Sequence, residues 1–377
     1  MRQPRLTALI ASSLLLTGCN LFLGNDSLAD KIYNNFDFKQ QVWSRLDVGA
    51  IEDLNTIQMV DGTTGYAAGQ KGIVVTTTDG GKTWTPSYPG VMSGQNIVSL
   101  AFVSPVQGFA ASNKNVYGTQ DGGHTWAKLS TPSTTSTLMH LRFATAGVGY
   151  AATDKGALQT LDGGKTWTPL KVADGGDFSI TSSGVYAAGS GVYHAAVGGD
   201  WTGLLEMSSL CSGCNPALPS FISPTEGWVV AVVPNHGNGD FVTVKVLHTT
   251  DSGGTWASLT TVDHLGKPLG DYLREVGFGS ATAVRFADAQ TGWMLFGKGL
   301  FATFDGGSTW ITQNQSFSTG GFTRYSMDHP TGLGFSDLSV QDAKHAWTVA
   351  GKFVYRYDGT LYPAFHETTG PSPKPWF

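Results

Sequence analysis

The sequence has 377 residues, of which 50 are Gly, 11 are Trp and only 14% are charged. Many tight-turn residues and few charges favour an all-β protein, and the length suits either two ordinary domains or one repeat array. The net charge of −5, with no cluster of Lys or Arg, argues against a nucleic-acid-binding surface.

The first residues have the pattern of a bacterial lipoprotein signal. Arg2 and Arg5 precede an apolar stretch, Leu6 to Leu16, that is too short to cross a bilayer as a stable helix. Leu16-Thr17-Gly18-Cys19 resembles the lipoprotein cleavage box, in which the Cys becomes the lipidated first residue; a plain secretory signal is the alternative. We therefore predict a signal peptide over 1–18 and a lipidated Cys19 with a tether over 19–40. The protein would then be extracytoplasmic and lipid-anchored to a bacterial membrane, either the inner or the outer one.

An eight-residue pattern, Thr-x-Asp-x-Gly-x-Thr-Trp, occurs five times. In such a turn the Asp carboxylate can accept backbone N–H groups, Gly permits positive φ, and Thr and Trp suit an outgoing strand. Trp84, Trp126 and Trp167 end the first three copies at spacings of 42 and 41 residues, the length of one four-stranded propeller blade. We predict a structural role for the five aspartates. They are Asp79, Asp121, Asp162, Asp251 and Asp305.

Two further patterns give the number of blades. The turn pattern does not precede Trp201, but this residue lies within the 89-residue interval between Trp167 and Trp256 and marks the outer strand of the blade expected there. Trp43 lies 41 residues before Trp84. Gly or another small residue followed by an aromatic residue marks seven second strands, several with a Phe seven positions earlier. These pairs are Gly65-Tyr66, Gly108-Phe109, Gly149-Tyr150, Val185-Tyr186, Gly227-Trp228, Gly292-Trp293 and Ala346-Trp347.

The last blade, starting near Val340, has no outer strand of its own. The segment around Trp43 can supply it, which would close the ring and remove exposed sheet edges. We therefore predict one all-β, seven-bladed β-propeller of four-stranded blades over 41–362, closed by an N-terminal strand and followed by a tail over 363–377.

These motifs resemble the Asp-box (BNR-repeat) propellers, a group that includes sialidases, two-propeller xyloglucanases and sortilin-like receptors. The order of Phe, Gly-aromatic-Ala-Ala and Thr-x-Asp-Gly-Gly-x-Thr-Trp is most similar to the photosystem II stability and assembly factor family, whose members are single seven-bladed propellers. The resemblance covers about residues 41–362. It implies a protein-binding scaffold whose client is an envelope or membrane protein. Only six Arg follow Cys19, so the arginine-rich face of that family is hard to build here.

Four insertions interrupt the repeat, all in blades four to seven. They are 205–219, 234–240, 260–282 and 312–335. If the strands of each blade run from the inside outward, all four lie on the face opposite the repeated turns. Long loops on a rigid scaffold commonly carry binding residues, so we predict a binding site on this half-face, with ordinary solvated loops as the alternative. The candidate binding residues are His236, His264, Asp271, Tyr272, Arg274, Arg324, Tyr325 and His329.

Cys211 and Cys214 lie in the first of these insertions. Outside the cytosol a local disulfide is the simplest interpretation, and it is the one we predict. A redox pair would need a helix N-terminus to lower a thiol pKa, and a zinc site would need two further ligands. We predict no metal and no cofactor.

A glycan-active hydrolase is the alternative to a scaffold. A sialidase would need an arginine triad and a nucleophilic Tyr, and the Phe/Tyr-Arg-Ile/Leu-Pro tetrapeptide usual in such enzymes does not occur. A xyloglucanase-like enzyme needs an acid pair across a cleft, typically between two propellers. Carboxylates from different blades can still converge at the channel mouth, so the sequence leaves a catalytic pair open. We favour a membrane-anchored extracytoplasmic scaffold or assembly factor that binds protein through long loops on one face, and we assign no catalytic residue.

Overall fold

Seven antiparallel sheets of four main strands each form a closed ring. The computed structural model describes residues 41–170, 172, 176–206, 208, 218–234, 242–263, 281–313, 316–319, 322–325 and 334–361. The first strand of every blade contacts the first strands of both neighbouring blades, which makes the ring complete. The predicted all-β propeller with seven blades is confirmed. Within these ranges no helix has the length and apolar character that crossing a bilayer requires.

Blades one to six each use four consecutive strands from the channel outward, and blade seven combines the last three strands with the first. The closing strand and the strands of blades one to three are β1 (Gln41–Asp47); β2 (Leu54–Met59), β3 (Gly65–Gly69), β4 (Val74–Thr77), β5 (Thr85–Ser87); β6 (Ile97–Phe102), β7 (Gly108–Ser112), β8 (Val116–Thr119), β9 (Ala127–Ser130); β10 (Leu138–Phe143), β11 (Gly149–Thr153), β12 (Gly156–Thr160) and β13 (Thr168–Leu170). The remaining strands are β14 (Asp177–Ile180), β15 (Val185–Ala188), β16 (Gly191–Ala195), β17 (Thr202–Glu206); β18 (Leu218–Phe221), β19 (Gly227–Pro234), β20 (Val242–Thr249), β21 (Ala257–Leu259); β22 (Val262–Asp263), β23 (Ala281–Phe286), β24 (Gly292–Phe296), β25 (Gly299–Thr303), β26 (Thr309–Thr312); β27 (Ser316–Thr319), β28 (Phe322–Tyr325); β29 (Phe335–Asp342), β30 (His345–Ala350) and β31 (Phe353–Leu361). Two 3₁₀ helices span Gln70–Gly72 and Gly90–Met92.

The last blade is closed by the N-terminal strand. β1 pairs antiparallel with β31, outside β30 and β29, and Trp43 lies opposite Tyr357. The predicted closure by the segment around Trp43 is confirmed. The blade begins at Phe335 rather than near Val340, because Phe335 is itself a core residue that is only 4% exposed.

Two insertions contain more regular structure than the sequence pattern indicates. β22, in the insertion over 260–282, pairs in parallel with β26 and gives blade six a fifth strand. β27 and β28, in the insertion over 312–335, form an antiparallel hairpin. Neither segment repeats a blade motif, and both are too short for their periodicity to be read from the sequence.

One repeated aromatic contact joins neighbouring blades. In blade two the ring of Phe102 stacks on Tyr66 of blade one, with centroids 3.7 Å apart, and meets Trp126 edge-on at 6.0 Å. Gly108 is required opposite Phe102, because a Cβ there would lie 2.3 Å from the ring. The same contact recurs at Phe143, Phe221 and Phe286. The Phe, the Gly-aromatic pair and the Trp of the turn are therefore parts of one contact between blades.

The five copies of the eight-residue pattern, here called the repeat turns, share a hydrogen-bond pattern around the aspartate. Asp162 Oδ1 accepts the N–H groups of Lys165 at 3.1 Å and Thr166 at 2.9 Å, and Oδ2 accepts the Thr166 hydroxyl at 2.6 Å. Thr160 donates its hydroxyl to Asp162 at 2.8 Å and accepts the N–H of Gly164 at 2.9 Å. The hydroxyl and the N–H of Thr166 lower the pKa of Asp162 to about 2. Asp79, Asp121, Asp251 and Asp305 likewise accept the N–H of the residue four positions later.

The repeat turns lie on the same face as the hairpins between first and second strands. Gly80 donates its N–H to Thr63 at 2.8 Å, and Gly163 donates to Gly147 at 2.9 Å. We call this the turn face. Because strands alternate in direction, the links between second and third strands and the links between blades lie on the opposite face, here called the insertion face.

Candidate functional site

The seven first strands surround the central channel and are joined by bonds from side chains to the next strand's backbone. In five cases a hydroxyl of one blade accepts an N–H of the next blade at 2.8 to 3.3 Å. The pairs are Thr56 with Leu100, Ser99 with Leu141, Ser179 with Phe221, Ser220 with Phe286, and Ser339 with Met59. These bonds satisfy backbone donors that face the channel rather than a neighbouring strand.

Two carboxylates, Asp177 and Asp337, occupy the first-strand position that Thr56 and Ser99 have in blades one and two. Asp337 accepts the N–H of Leu338 through Oδ1 at 2.8 Å. Through Oδ2 it accepts the Thr56 hydroxyl at 2.8 Å and the N–H of Ile57 at 3.1 Å, both in the next blade. Two of its three hydrogen bonds therefore join blade seven to blade one.

Asp177 has the same position in blade four but a different partner. Its Oδ1 accepts the N–H of Phe178 at 2.8 Å, as in Asp337. The residue of blade five that corresponds to Ile57 is Pro219, which has no N–H to donate. Oδ2 of Asp177 is thus left for other donors.

Two guanidinium groups use that oxygen. Asp177 Oδ2 accepts Nη2 of Arg142, from blade three, at 2.7 Å and Nη2 of Arg285, from blade six, at 3.3 Å. The Asp177 side chain is only 1% exposed, whereas the two Arg side chains are 18% and 23% exposed. Burial acts to raise the pKa of Asp177, but the charges of Arg142, His140 and Arg285 outweigh it and hold the pKa well below its ordinary value.

His140 adjoins this charged group. Burial lowers its pKa, the carboxylate of Asp177 opposes that effect, and the guanidinium of Arg142 adds to it. The neutral imidazole is therefore favoured at neutral pH.

A cavity of about 390 Å³ lies in the channel. Its wall is formed mainly by the middle and later residues of the seven first strands, so it extends from the charged group toward the turn face. Arg142 and Arg285 both line it. Arg285 uses two of its five guanidinium N–H groups to donate to Val284 and Asp177. Its remaining N–H groups can donate to a ligand in the cavity.

The two described carboxylates of the channel, Asp177 and Asp337, do not have the properties of a glycosidase acid. A glycosidase needs a carboxylic acid with a raised pKa and a second carboxylate on the other side of the bond. Asp177 has a lowered pKa and Asp337 has three donors, so neither is available as the acid. Nor do three or more His, Cys, Asp or Glu side chains come together as a metal-binding group in the described part of the chain.

Most of the candidate site residues predicted from the sequence lie outside the described residues. These are Cys19, Cys211, Cys214, His236, His264, Asp271, Tyr272, Arg274 and His329. Arg324 and Tyr325 lie in β28, where they pair with Phe317 and Ser316 of β27. The strand ends that bound all four insertions lie on the insertion face, since each insertion follows an outer strand or joins a second strand to a third.

The sequence reasoning did not identify the charged residues of the channel. A signal was present in the dipeptides Arg142-Phe143 and Arg285-Phe286. Since Phe143 and Phe286 pack between blades at the end of a first strand, the residue just before each lies on a first strand and is close to the channel. The convergence of both guanidiniums on Asp177 depends on the ring and not on any local pattern.

Fold and channel together define a single seven-bladed propeller. No family model matches the sequence, and no curated protein matches it. Among solved structures, "YCF48 bound to D1 peptide" is similar, with a TM-score of 0.58 and 18% identity over 85% of this chain and 98% of that chain. YCF48 from Cyanidioschyzon merolae gives a TM-score of 0.55 and 16% identity over 84% and 98%.

A glycoside hydrolase is similar to the same degree. The GH74 xyloglucanase from Xanthomonas campestris gives a TM-score of 0.58 and 15% identity over 86% of this chain but only 54% of that chain. At these identities the likeness shows the fold alone. The chain therefore shares its propeller with YCF48 and with about half of a xyloglucanase.

Proposed function

We propose that this protein is an extracytoplasmic, lipid-anchored scaffold that binds a protein client on the insertion face. The placement of its longest links supports this most directly. The strand ends that bound the four insertions all belong to blades four to seven and all open on one face. A closed ring of sheets holds those ends at fixed positions, which is the arrangement by which rigid folds present binding loops.

The structural comparison also favours a protein client. One similar propeller is described as bound to a peptide, the D1 peptide. The similar xyloglucanase chain is nearly twice as long as the part that matches, and the channel carboxylates here are committed to other bonds. A scaffold therefore fits the described residues better than a sialidase or xyloglucanase type of hydrolase.

Capture from solubilised envelope membranes tests the proposal. Arg274→Glu combined with Arg324→Glu reverses two charges in the insertions, and we expect it to reduce recovery of the native client. The matched control, Lys82→Glu with Lys165→Glu, reverses two exposed charges on the turn face and should leave recovery unchanged. Equal recovery with both double variants would show that the client does not use the insertion face.

Two further measurements test the anchor and the rival activity. Incorporation of labelled palmitate should depend on Cys19, and Cys19→Ala should release the protein from the membrane fraction. The purified protein should not hydrolyse sialosides or β-glucans. Robust turnover that a single carboxylate substitution abolishes would replace the scaffold with the hydrolase.

A further inference from the structure

A second cavity lies apart from the channel, between blades three and four on the insertion face. Its volume is about 410 Å³, within the range of about 300 to 1,000 Å³ usual for small-ligand pockets. The link before β10 forms one wall, and the turns after β11 and β15 form others. The ring of Tyr193 and the side chain of Leu170 also line it. We call it the hydroxyl pocket.

Its described wall is rich in hydroxyl groups. Six of the thirteen lining residues carry a hydroxyl, and none of those described is acidic. The hydroxyl-bearing residues are Ser133, Thr135, Ser136, Thr153, Ser190 and Tyr193. A hydroxyl both donates and accepts, so such a wall suits a ligand whose own groups do both.

Several of these hydroxyls are available to a ligand. Thr153 is committed, because its Oγ1 donates to Gly156 at 2.7 Å and accepts the N–H of Lys155 at 3.2 Å. Within the described ranges, by contrast, the side-chain hydroxyls of Ser136, Ser190 and Tyr193 have no hydrogen-bond partner. Among the described lining residues the one charged side chain, Lys155, donates to the carbonyl oxygen of Thr135.

Tyr193 supplies an aromatic surface beside these hydroxyls. It is half-buried and packs against a core cluster that includes Ala157 and Phe178, so its ring is held in place. Gly191 keeps this position open, because a Cβ there would lie 2.9 Å from Tyr193 Oη and 3.0 Å from its Cε2. Gly203 is paired with Tyr193 across the sheet and brings no side chain over the ring.

We propose that the hydroxyl pocket binds a neutral saccharide. Sugar hydroxyls donate and accept like those of the wall, and the C–H groups of a sugar face can pack on the ring of Tyr193. A phosphate or sulfate would need several cations or free N–H groups, whereas the described wall carries a single lysine. Hydrolysis needs two carboxylates, so the pocket binds the saccharide without cleaving it.

This site is distinct from the client surface of the proposed function. It is built by blades three and four and by links short enough for the sequence to show no insertion there. A variant that no longer binds the client could therefore still bind a saccharide, and a variant that no longer binds a saccharide could still bind the client.

Saturation-transfer NMR on the purified full-length protein in detergent tests the proposal, with cellobiose, lactose and chitobiose as probes. At least one should bind with a dissociation constant at or below about 10 mM. Tyr193→Ala removes the ring, and Ser136→Phe fills the pocket from a loop without changing the core. Each should weaken binding at least about tenfold, equivalent to the loss of one good contact.

Tyr88→Ala is the control, because Tyr88 is an exposed tyrosine in the link between blades one and two, outside the pocket. It should leave the dissociation constant unchanged. The proposal is overturned if no probe binds, if inorganic phosphate binds in place of the sugars, or if Tyr88→Ala weakens binding as much as both pocket variants.

Discussion

Trp43 and Tyr357 lie opposite each other in paired strands, with ring centroids 5.7 Å apart, although they come from the two ends of the propeller. Their contact joins β1 to β31. The side chain of Trp43 is 3% exposed and packs in the same core cluster as Trp293 and Leu338. The ring is therefore closed by burial of side chains as well as by backbone hydrogen bonds.

Removal of the Trp43 side chain should weaken the packing of β1 against β31. We expect Trp43→Ala to lower the free energy of unfolding by about 3 to 5 kcal/mol, the usual cost of removing a buried Trp or Phe. Denaturant unfolding followed by fluorescence and circular dichroism measures this. Ile51→Ala, at a side chain 77% exposed, is the control and should change stability by less than about 0.5 kcal/mol. Similar values for the two variants would show that the Trp43 contact is not a stabilising part of the closure.

The carboxylate of Asp177 should be essential to the channel. Asp177→Asn keeps the shape but leaves Arg142 and Arg285 without their shared anion, so we expect a loss of about 3 to 5 kcal/mol. Asp200→Asn, at an exposed aspartate, is the control for the loss of one negative charge. The triple change of Asp177→Leu, Arg142→Met and Arg285→Met should recover much of the loss, because no buried charge is then unpaired. If Asp177→Asn is as stable as the parent, the two guanidiniums do not depend on this anion.

One repeat turn contains a residue in an unfavourable conformation. Ser252 has φ of 64°, while the matching positions in the other turns, Gly80, Gly122, Gly163 and Gly306, have φ of 71° to 74°. Left-handed φ costs a non-glycine residue about 1 to 2 kcal/mol, partly offset by the greater unfolded-state freedom of glycine. We expect Ser252→Gly to stabilise the protein by about 0.5 to 1 kcal/mol. The reverse change, Gly163→Ser, should destabilise it, and thermal unfolding of both variants compares the two. A destabilised Ser252→Gly variant or a stabilised Gly163→Ser variant would contradict the backbone explanation.

The repeat turns should make stability fall at acid pH. The folded-state pKa values of Asp121 and Asp162 are lowered to about 2, first by the hydroxyl groups of Thr125 and Thr166. The unfolded chain therefore takes up protons first as the pH falls, which favours unfolding. The stabilisation is complete above the ordinary value of about 3.8 and is lost as the pH falls through about 2.

Equilibrium unfolding between pH 6 and pH 2, in steps of about one pH unit, measures this effect. The double variant Asp121→Asn and Asp162→Asn should be less stable at neutral pH and should lose less stability on acidification. An unchanged slope in that variant would assign the acid sensitivity to other carboxylates, with Asp177 the next candidate.

Much of the architecture follows from local patterns in the sequence. The repeat turn needs an Asp, a Gly and a Thr at fixed spacings because one carboxylate must meet successive N–H groups, as at Asp162. Phe102, Gly108 and Trp126 have counterparts at the same spacings in blades three and six, because the three residues form one contact in each of these blades. The number of blades and the closing role of Trp43 can therefore be read from the chain.

The channel site and the hydroxyl pocket could not be predicted in this way. They bring together residues that are not spaced at regular intervals along the sequence. Arg285 and Asp177 are 108 positions apart and belong to blades that are not neighbours, so only the ring brings them to 3.3 Å. Because Pro219 has no N–H to donate, Oδ2 of Asp177 is left for the guanidinium groups. This has an effect only because the ring places blade five beside blade four. The hydroxyl pocket likewise gathers ordinary loop residues from two blades. The sequence by itself determined the repeated unit and its count, because these depend on contacts at short and regular spacing. Only the tertiary structure decided which side chains meet in the channel and between blades, because closure of the ring sets those distances.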